Sequence, residues 1–148
     1  MVTPVVLDVN ILVAAHQPLH AHHDLAARWL SHHLSGATGS VVVPDIVWAG
    51  FARVTTNLHA FNPPATPQDA ALFAEAVTRA PAYCGIAGLA DGVQPFFGTV
   101  VRAQARGNLV TDAYIAAVAL QLGAAVATFD RDFRRFDGLR IVTPAMPA

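Results

Sequence analysis

Three aspartates stand where apolar segments begin or end: Asp8 closes Val5-Val6-Leu7, Asp112 opens Ala113-Tyr114-Ile115-Ala116-Ala117-Val118, and Asp130 closes Val126-Ala127-Thr128-Phe129. The chain has ten acids, nine arginines and no lysine, so carboxylates set into apolar surroundings are short of cationic partners. An ionised carboxylate is costly to bury unless it is paired or holds a metal. A group of oxygen ligands with no Cys and no required His suits Mg2+ or Mn2+, which keep several waters and bridge to phosphate oxygens. The chemistry such a group supports is phosphodiester hydrolysis, with an activated water and stabilised charge on the phosphoryl group.

The elements that must position these acids follow from patterning. Residues 4–8 form a short β-branched strand that runs through a loop into a helix, and Asp24 to Leu34 carries apolar residues at helical spacing up to the Ser35-Gly36 stop. Val41-Val42-Val43 is a second strand, followed by a helix bearing Ile46, Val47, Phe51 and Val54, with Asp45 at its start. Three prolines between Phe61 and Gln68 mark a loop. Thr66-Pro67-Gln68-Asp69 then has the form of a capping box opening a helix that reaches about Arg79. Between residues 80 and 95 periodicity fades, with a short strand or turn of helix expected at Ile86 to Leu89. A helix is expected from Phe96 to Ala105, and another capped by Thr111 with Asp112 in its first turn, ending at Gly123. Ala125 to Phe129 is a strand, Asp130 to Phe136 a turn or short helix, and Arg140 to Val142 a last strand.

Strand and helix alternate, which predicts a single α/β domain over residues 1–148 with a mostly parallel sheet covered on both faces. In such a fold the carboxyl ends of the strands and the starts of the following helices share one edge, where ligands bind. Asp8 and Asp130 as strand-end residues and Asp112 as a helix-start residue therefore reach one crevice. Each acid taken singly is explained by a turn, a cap or a helix dipole. Capping does not explain their common edge.

Composition sets further bounds. A net charge of -1 gives no global basic field, so any polyanion must be met by a local patch. The hydrophobic share is 54%, and mean hydropathy is +0.44, but much of this is alanine and no stretch is long enough to read as a membrane span. The first apolar run has no basic leader and is interrupted by Asp8, which argues against a signal peptide. One cysteine, Cys84, excludes an intrachain disulfide and reads as a small buried residue, and a reducing cytoplasm is the expected compartment.

Arg131, Arg134, Arg135 and Arg140 adjoin Asp130 and are candidates for holding the phosphates of a polyanionic strand, against the simpler expectation that they pair with Asp132 and Asp137. All seven histidines lie in the first 59 residues. His16 and His20 have metal-chelating spacing, but Pro18 lies between them and no carboxylate or Cys completes a ligand set. Trp29, Trp48, Phe51, Phe73 and Phe97 fall on apolar helical faces as core or dimer residues.

The segments Val6-Leu7-Asp8-Val9-Asn10, Leu109-Val110-Thr111-Asp112-Ala113 and Thr128-Phe129-Asp130-Arg131-Asp132-Phe133 resemble the PIN-domain ribonucleases, specifically VapC-type toxins. The resemblance covers nearly the whole chain. It implies a three-layer α/β/α fold, a Mg2+- or Mn2+-dependent endoribonuclease, a VapB-like antitoxin that blocks the site, and a homodimer. Carried over, Asp8, Asp112 and Asp130 are the metal-binding acids, Asp132 is a second acid contacting metal through water, and Asn10 and Thr111 are supporting polar groups. One departure stands out: the family usually places a glutamate on the helix after the second strand, and here Ala49-Gly50-Phe51 carries Gly50. Two rivals follow. One is a non-catalytic PIN-fold domain that binds RNA or a partner, and the other is a phosphoacceptor module, disfavoured by the absence of any lysine to neutralise an acyl phosphate.

Overall fold

The apolar runs that the sequence offers as strands at residues 5–7, 41–43 and 125–127 become adjacent in the sheet. In the computed structural model, which describes residues 2–145, β1 (Val5–Leu7) lies between β2 (Val41–Pro44) and β4 (Ala125–Ala127), with β3 (Tyr83–Ile86) and β5 (Ile141–Val142) at the edges. All four pairings are parallel, and Val5 stands opposite both Val41 and Ala125. Strands buried on both faces need no alternation, which is why β1, β2 and β4 are uniformly apolar.

Helices α1 (Val9–His16) and α2 (His23–Leu34) connect β1 to β2, and α3 (Asp45–Thr55) and α4 (Pro67–Thr78) connect β2 to β3. The path then reverses through α5 (Val93–Arg102) and α6 (Asn108–Leu122) to β4 on the other side of β1. Right-handed crossovers running in opposite directions put α1 to α4 on one face and α5 and α6 on the other. The expected three-layer α/β/α arrangement results, and the sheet is wholly parallel. Among the described residues no helix is long and apolar enough to cross a membrane.

Helix α6 is buried along Ala113 and Ile115 to Ala119, and its small side chains fill the space over β1 and β4. It starts earlier than expected. Gly107, at φ 57°, ends the preceding turn and Asn108 opens the helix, so Thr111 is an exposed helical residue and no cap, and Asp112 stands in the second turn. The helix before it is also shifted, to Val93–Arg102, because Pro95 is accommodated in a first turn where its missing N–H costs nothing. The uncertain strand is Tyr83–Ile86 and not Ile86 to Leu89, and it is defined by pairing with β2. Cys84 on that edge strand is half-buried and not a core residue. The Thr66–Asp69 capping box forms as read, with reciprocal bonds of 3.1 and 3.3 Å.

Candidate active site at the carboxyl edge of the sheet

The strand order places a reversal beside β1: the chain leaves β1 toward β2 and returns to β4 on its opposite side. In parallel sheets that is where a crevice opens at the strand ends. Asp8 is the first residue past β1 and caps α1, its Oδ1 accepting the Val9 N–H at 2.7 Å. It is 5% exposed. Its Oδ2 accepts a 2.7 Å hydrogen bond from the hydroxyl of Thr128, the first residue past β4.

Thr128 is the joint between the two strands. While donating to Asp8, its Oγ1 accepts from Asn10 Nδ2 at 3.2 Å and from the Asp130 N–H at 2.9 Å, the full capacity of a hydroxyl. Asn10 in turn accepts the Phe129 N–H at 3.3 Å. Asp130 caps the 3-10 turn Arg131–Arg135, accepting the Asp132 N–H at 2.9 Å. Thr128 was absent from the sequence-derived candidates. Its signal was a lone hydroxyl ending an apolar strand two residues before a candidate acid.

Asp112 completes the group from α6. Burial raises its carboxyl first, and Asp8, Asp130 and Asp132 raise it further, to about 7. In the second turn it gains little from the helix dipole, which fades beyond the first. Burial also raises Asp8, opposed by its bonds from Thr128 and Val9, with the charge of Asp130 adding to the rise. The four acids thus share one electrostatic environment. Among the described residues the one salt bridge is Arg79–Glu75, so no arginine neutralises them. Among those residues, too, no three His, Cys, Asp or Glu side chains already converge as a metal cage. An all-carboxylate donor set with an uncompensated charge fits a hard dication in its chemistry.

The basic cluster divides. Arg131 and Arg134 line a hollow together with Asp130, Arg135 lines a separate small one with Arg102 and Asp137, and Arg140 donates to the Gly123 carbonyl at 2.9 Å. At the position of the family's glutamate, a Cβ on Gly50 would lie 2.7 Å from Val9 Cγ2. Val9 follows Asp8 directly, so its side chain occupies the approach a residue at 50 would use. Asp45 is exposed at the start of α3 and is not among the groups that raise Asp112.

The PIN domain family matches residues 5–139. The chain belongs to that family. This PIN domain is 36% identical over 143 residues to the ribonuclease VapC25 of Mycobacterium tuberculosis, covering 93% of this chain and 96% of the relative. It is 38% identical over 135 residues to the ribonuclease VapC43 of the same organism, covering 90% of each. Among solved structures it resembles VapBC2 of Rickettsia felis bound to a promoter DNA fragment, with a TM-score of 0.69 at 17% identity over 94% of this chain and 97% of that one. The relatives place it among the VapC-type PIN ribonucleases.

Proposed function

We propose that this VapC-type PIN domain is a Mg2+- or Mn2+-dependent endoribonuclease, the toxin of a pair whose VapB-like antitoxin blocks the acidic edge, acting in the cytoplasm as a homodimer. The observation that carries the reading is the gathering of Asp8, Asp112, Asp130 and Asp132 at one sheet edge, with no ion pair to any of them among the described residues.

Asp8, Asp112 and Asp130 would hold the metal, with Asp132 contacting it through water. A bound divalent cation there supplies charge stabilisation at the phosphoryl oxygens and lowers the pKa of an attacking water. The protein's own groups do the rest. Thr128 fixes the orientation of Asp8 and hands its remaining acceptor capacity to Asn10 and Asp130, so the two strand ends move as a unit. Asp112 loses its proton as pH rises through about 7, and a cation favours that loss. Arg131 and Arg134 stand beside Asp130 to hold RNA phosphates, which positions the strand without reading its sequence. For the homodimer, Val93, Phe97 and Val101 at i, i+4 and i+8 on α5 are each more than half exposed and offer an apolar stripe.

The test is incubation of a structured RNA pool with antitoxin-free protein and Mg2+ or Mn2+, beside EDTA and an Asp112→Asn control. Cuts present only with metal and Asp112 are the expected result. The Gly50–Val9 contact favours a second reading, a PIN-fold domain that binds RNA without cutting it. RNA binding that survives EDTA, with no cleavage under any metal, would establish that reading instead.

A further inference from the structure

Next to Asp130 the surface forms a half-open polar hollow of about 330 Å³, lined by Arg131 and Arg134 from the 3-10 turn and by Leu139, Ile141 and Thr143 around edge strand β5. Both arginines are exposed, and among the described residues neither has an ion-pair partner. The rest of the lining is different in kind, with half-buried Leu139 and Ile141 and exposed Thr143. Phe129 lines the same hollow, and its ring stacks on exposed His22 at 4.6 Å and 16°.

Two guanidinium groups with no ion pair among the described residues, beside half-buried aliphatic side chains, suit an anion attached to an apolar ring face. The volume is at the lower end of small-ligand pockets, enough for one nucleotide and too small for a duplex. We propose that this hollow seats a single unpaired nucleotide flanking the scissile phosphate. Arg131 and Arg134 hold its phosphate, Leu139 and Ile141 pack against the base face, and Thr143 meets the base edge. The seat opens on Asp130, so a strand anchored in it runs directly onto the acids. Phosphate contacts give affinity and base contacts give preference, so the enzyme acquires a sequence preference at one position next to the cut. The inference rests on the nuclease reading for its setting, but the binding seat can be tested apart from it.

Arg134→Ala, Arg131→Ala and the near-isosteric Thr143→Val are compared with wild type and with Arg28→Ala, which removes an equal charge on α2. Cleavage of an RNA library randomised around the cut is followed by sequencing. Each arginine variant should raise KM about tenfold with kcat little changed, the loss expected for one charge-assisted hydrogen bond. Thr143→Val should alter base preference at one position only, and Arg28→Ala should alter neither quantity. Unchanged KM in both arginine variants and an unchanged cut profile in Thr143→Val would overturn the seat while leaving the nuclease intact, as would arginine variants that lose antitoxin affinity alone. If wild type cuts no RNA, the nuclease reading fails, and titration of a short single-stranded RNA in EDTA decides the seat separately. Binding weakened by Arg134→Ala supports it, and absent or unaltered binding removes it.

Discussion

Two groups of polar side chains that reach the interior are treated by the fold in opposite ways. Where α1 meets α3, His16 Nδ1 lies 3.0 Å from Thr55 Oγ1, Gln17 Nε2 donates to the Thr55 carbonyl at 3.3 Å, and His23 Nδ1 lies 2.8 Å from the Ala14 carbonyl. His16 packs edge-on to Phe51 and against Phe73, and burial lowers its pKa, keeping the ring neutral near pH 7. The polar side chains named there each have a hydrogen-bonding partner within the protein. At the carboxyl edge of β1 and β4, burial and then the neighbouring carboxylates instead raise Asp8 and Asp112, and among the described residues no arginine ion pair relieves them. A satisfied neutral network is scaffold, because its free energy is spent on holding helices together. A group of like charges that the protein leaves unbalanced is held ready for something outside the chain.

Replacing Asp112 by Asn separates the two regions most strongly. Metal-dependent cleavage should fall roughly a thousandfold, on the scale of losing a group that stabilises the transition state. The metal-free melting temperature should hold or rise, since one of four mutually repelling charges is gone. Cleavage rates and thermal melts in EDTA check both halves, and a large loss of stability would place Asp112 in the scaffold instead.

Thr128→Val tests the joint between the strands. The shape is kept, but Asp8 loses its donor and Asn10 and the Asp130 N–H lose their acceptor, costing about 1–3 kcal/mol. Mn2+ affinity should fall about 10–100-fold, as when a ligand's supporting partner is removed. Calorimetric titration and chemical denaturation measure the two effects. His16→Ala should do the reverse of Asp112→Asn: about 2 kcal/mol of stability lost, with kcat and metal affinity unchanged.

Gly50→Glu is predicted to cost about 1–3 kcal/mol through overlap with Val9. Combining it with Val9→Ala should recover most of that loss and tighten Mn2+ binding, whereas the single substitution tightens nothing. The smallest effect is the pH dependence. The folded Asp112 carboxyl titrates near 7, above the ordinary value of 3.8, so the folded state binds that proton more tightly than the unfolded chain. Its contribution to metal-free stability is present at low pH and is lost as pH rises from about 4 through about 7. Apparent Mn2+ affinity rises over the same interval, because the cation displaces the proton. Melts at stepped pH, with EDTA and with Mn2+, should diverge increasingly toward pH 8.

Legibility in the sequence followed how locally each feature is determined. Strands β1, β2 and β4 announce themselves because burial on both faces demands unbroken apolar runs, and the Thr66–Asp69 box is complete within four residues. Helix α1 begins directly after Asp8 with no intervening loop, and its periodicity is masked because Ile11 to Ala15 are all buried. The start of α6 turned on a backbone conformation at Gly107 that composition does not display. The nearness of Asp8, Asp112 and Asp130 was readable because each stands at an end of an apolar run, and in a parallel sheet those ends share an edge. Thr128 was not, since its role depends on Asp8, 120 residues away in the sequence. The arginines looked like one patch because they are close in sequence, but the 3-10 turn sends Arg131 and Arg134 one way and Arg135 another.

The span between Asp8 and Thr128 also sets when activity can first appear during synthesis. Chains emerge at about 5–20 residues per second, so the 120 residues between the two partners take roughly 6 to 24 s to make. Throughout that interval β1 has no complete β4 beside it, Asp8 lacks its hydroxyl donor, and Asp130 and Asp132 do not yet exist. The acidic edge can therefore be completed only late in synthesis, once β4 and the turn after it have been made.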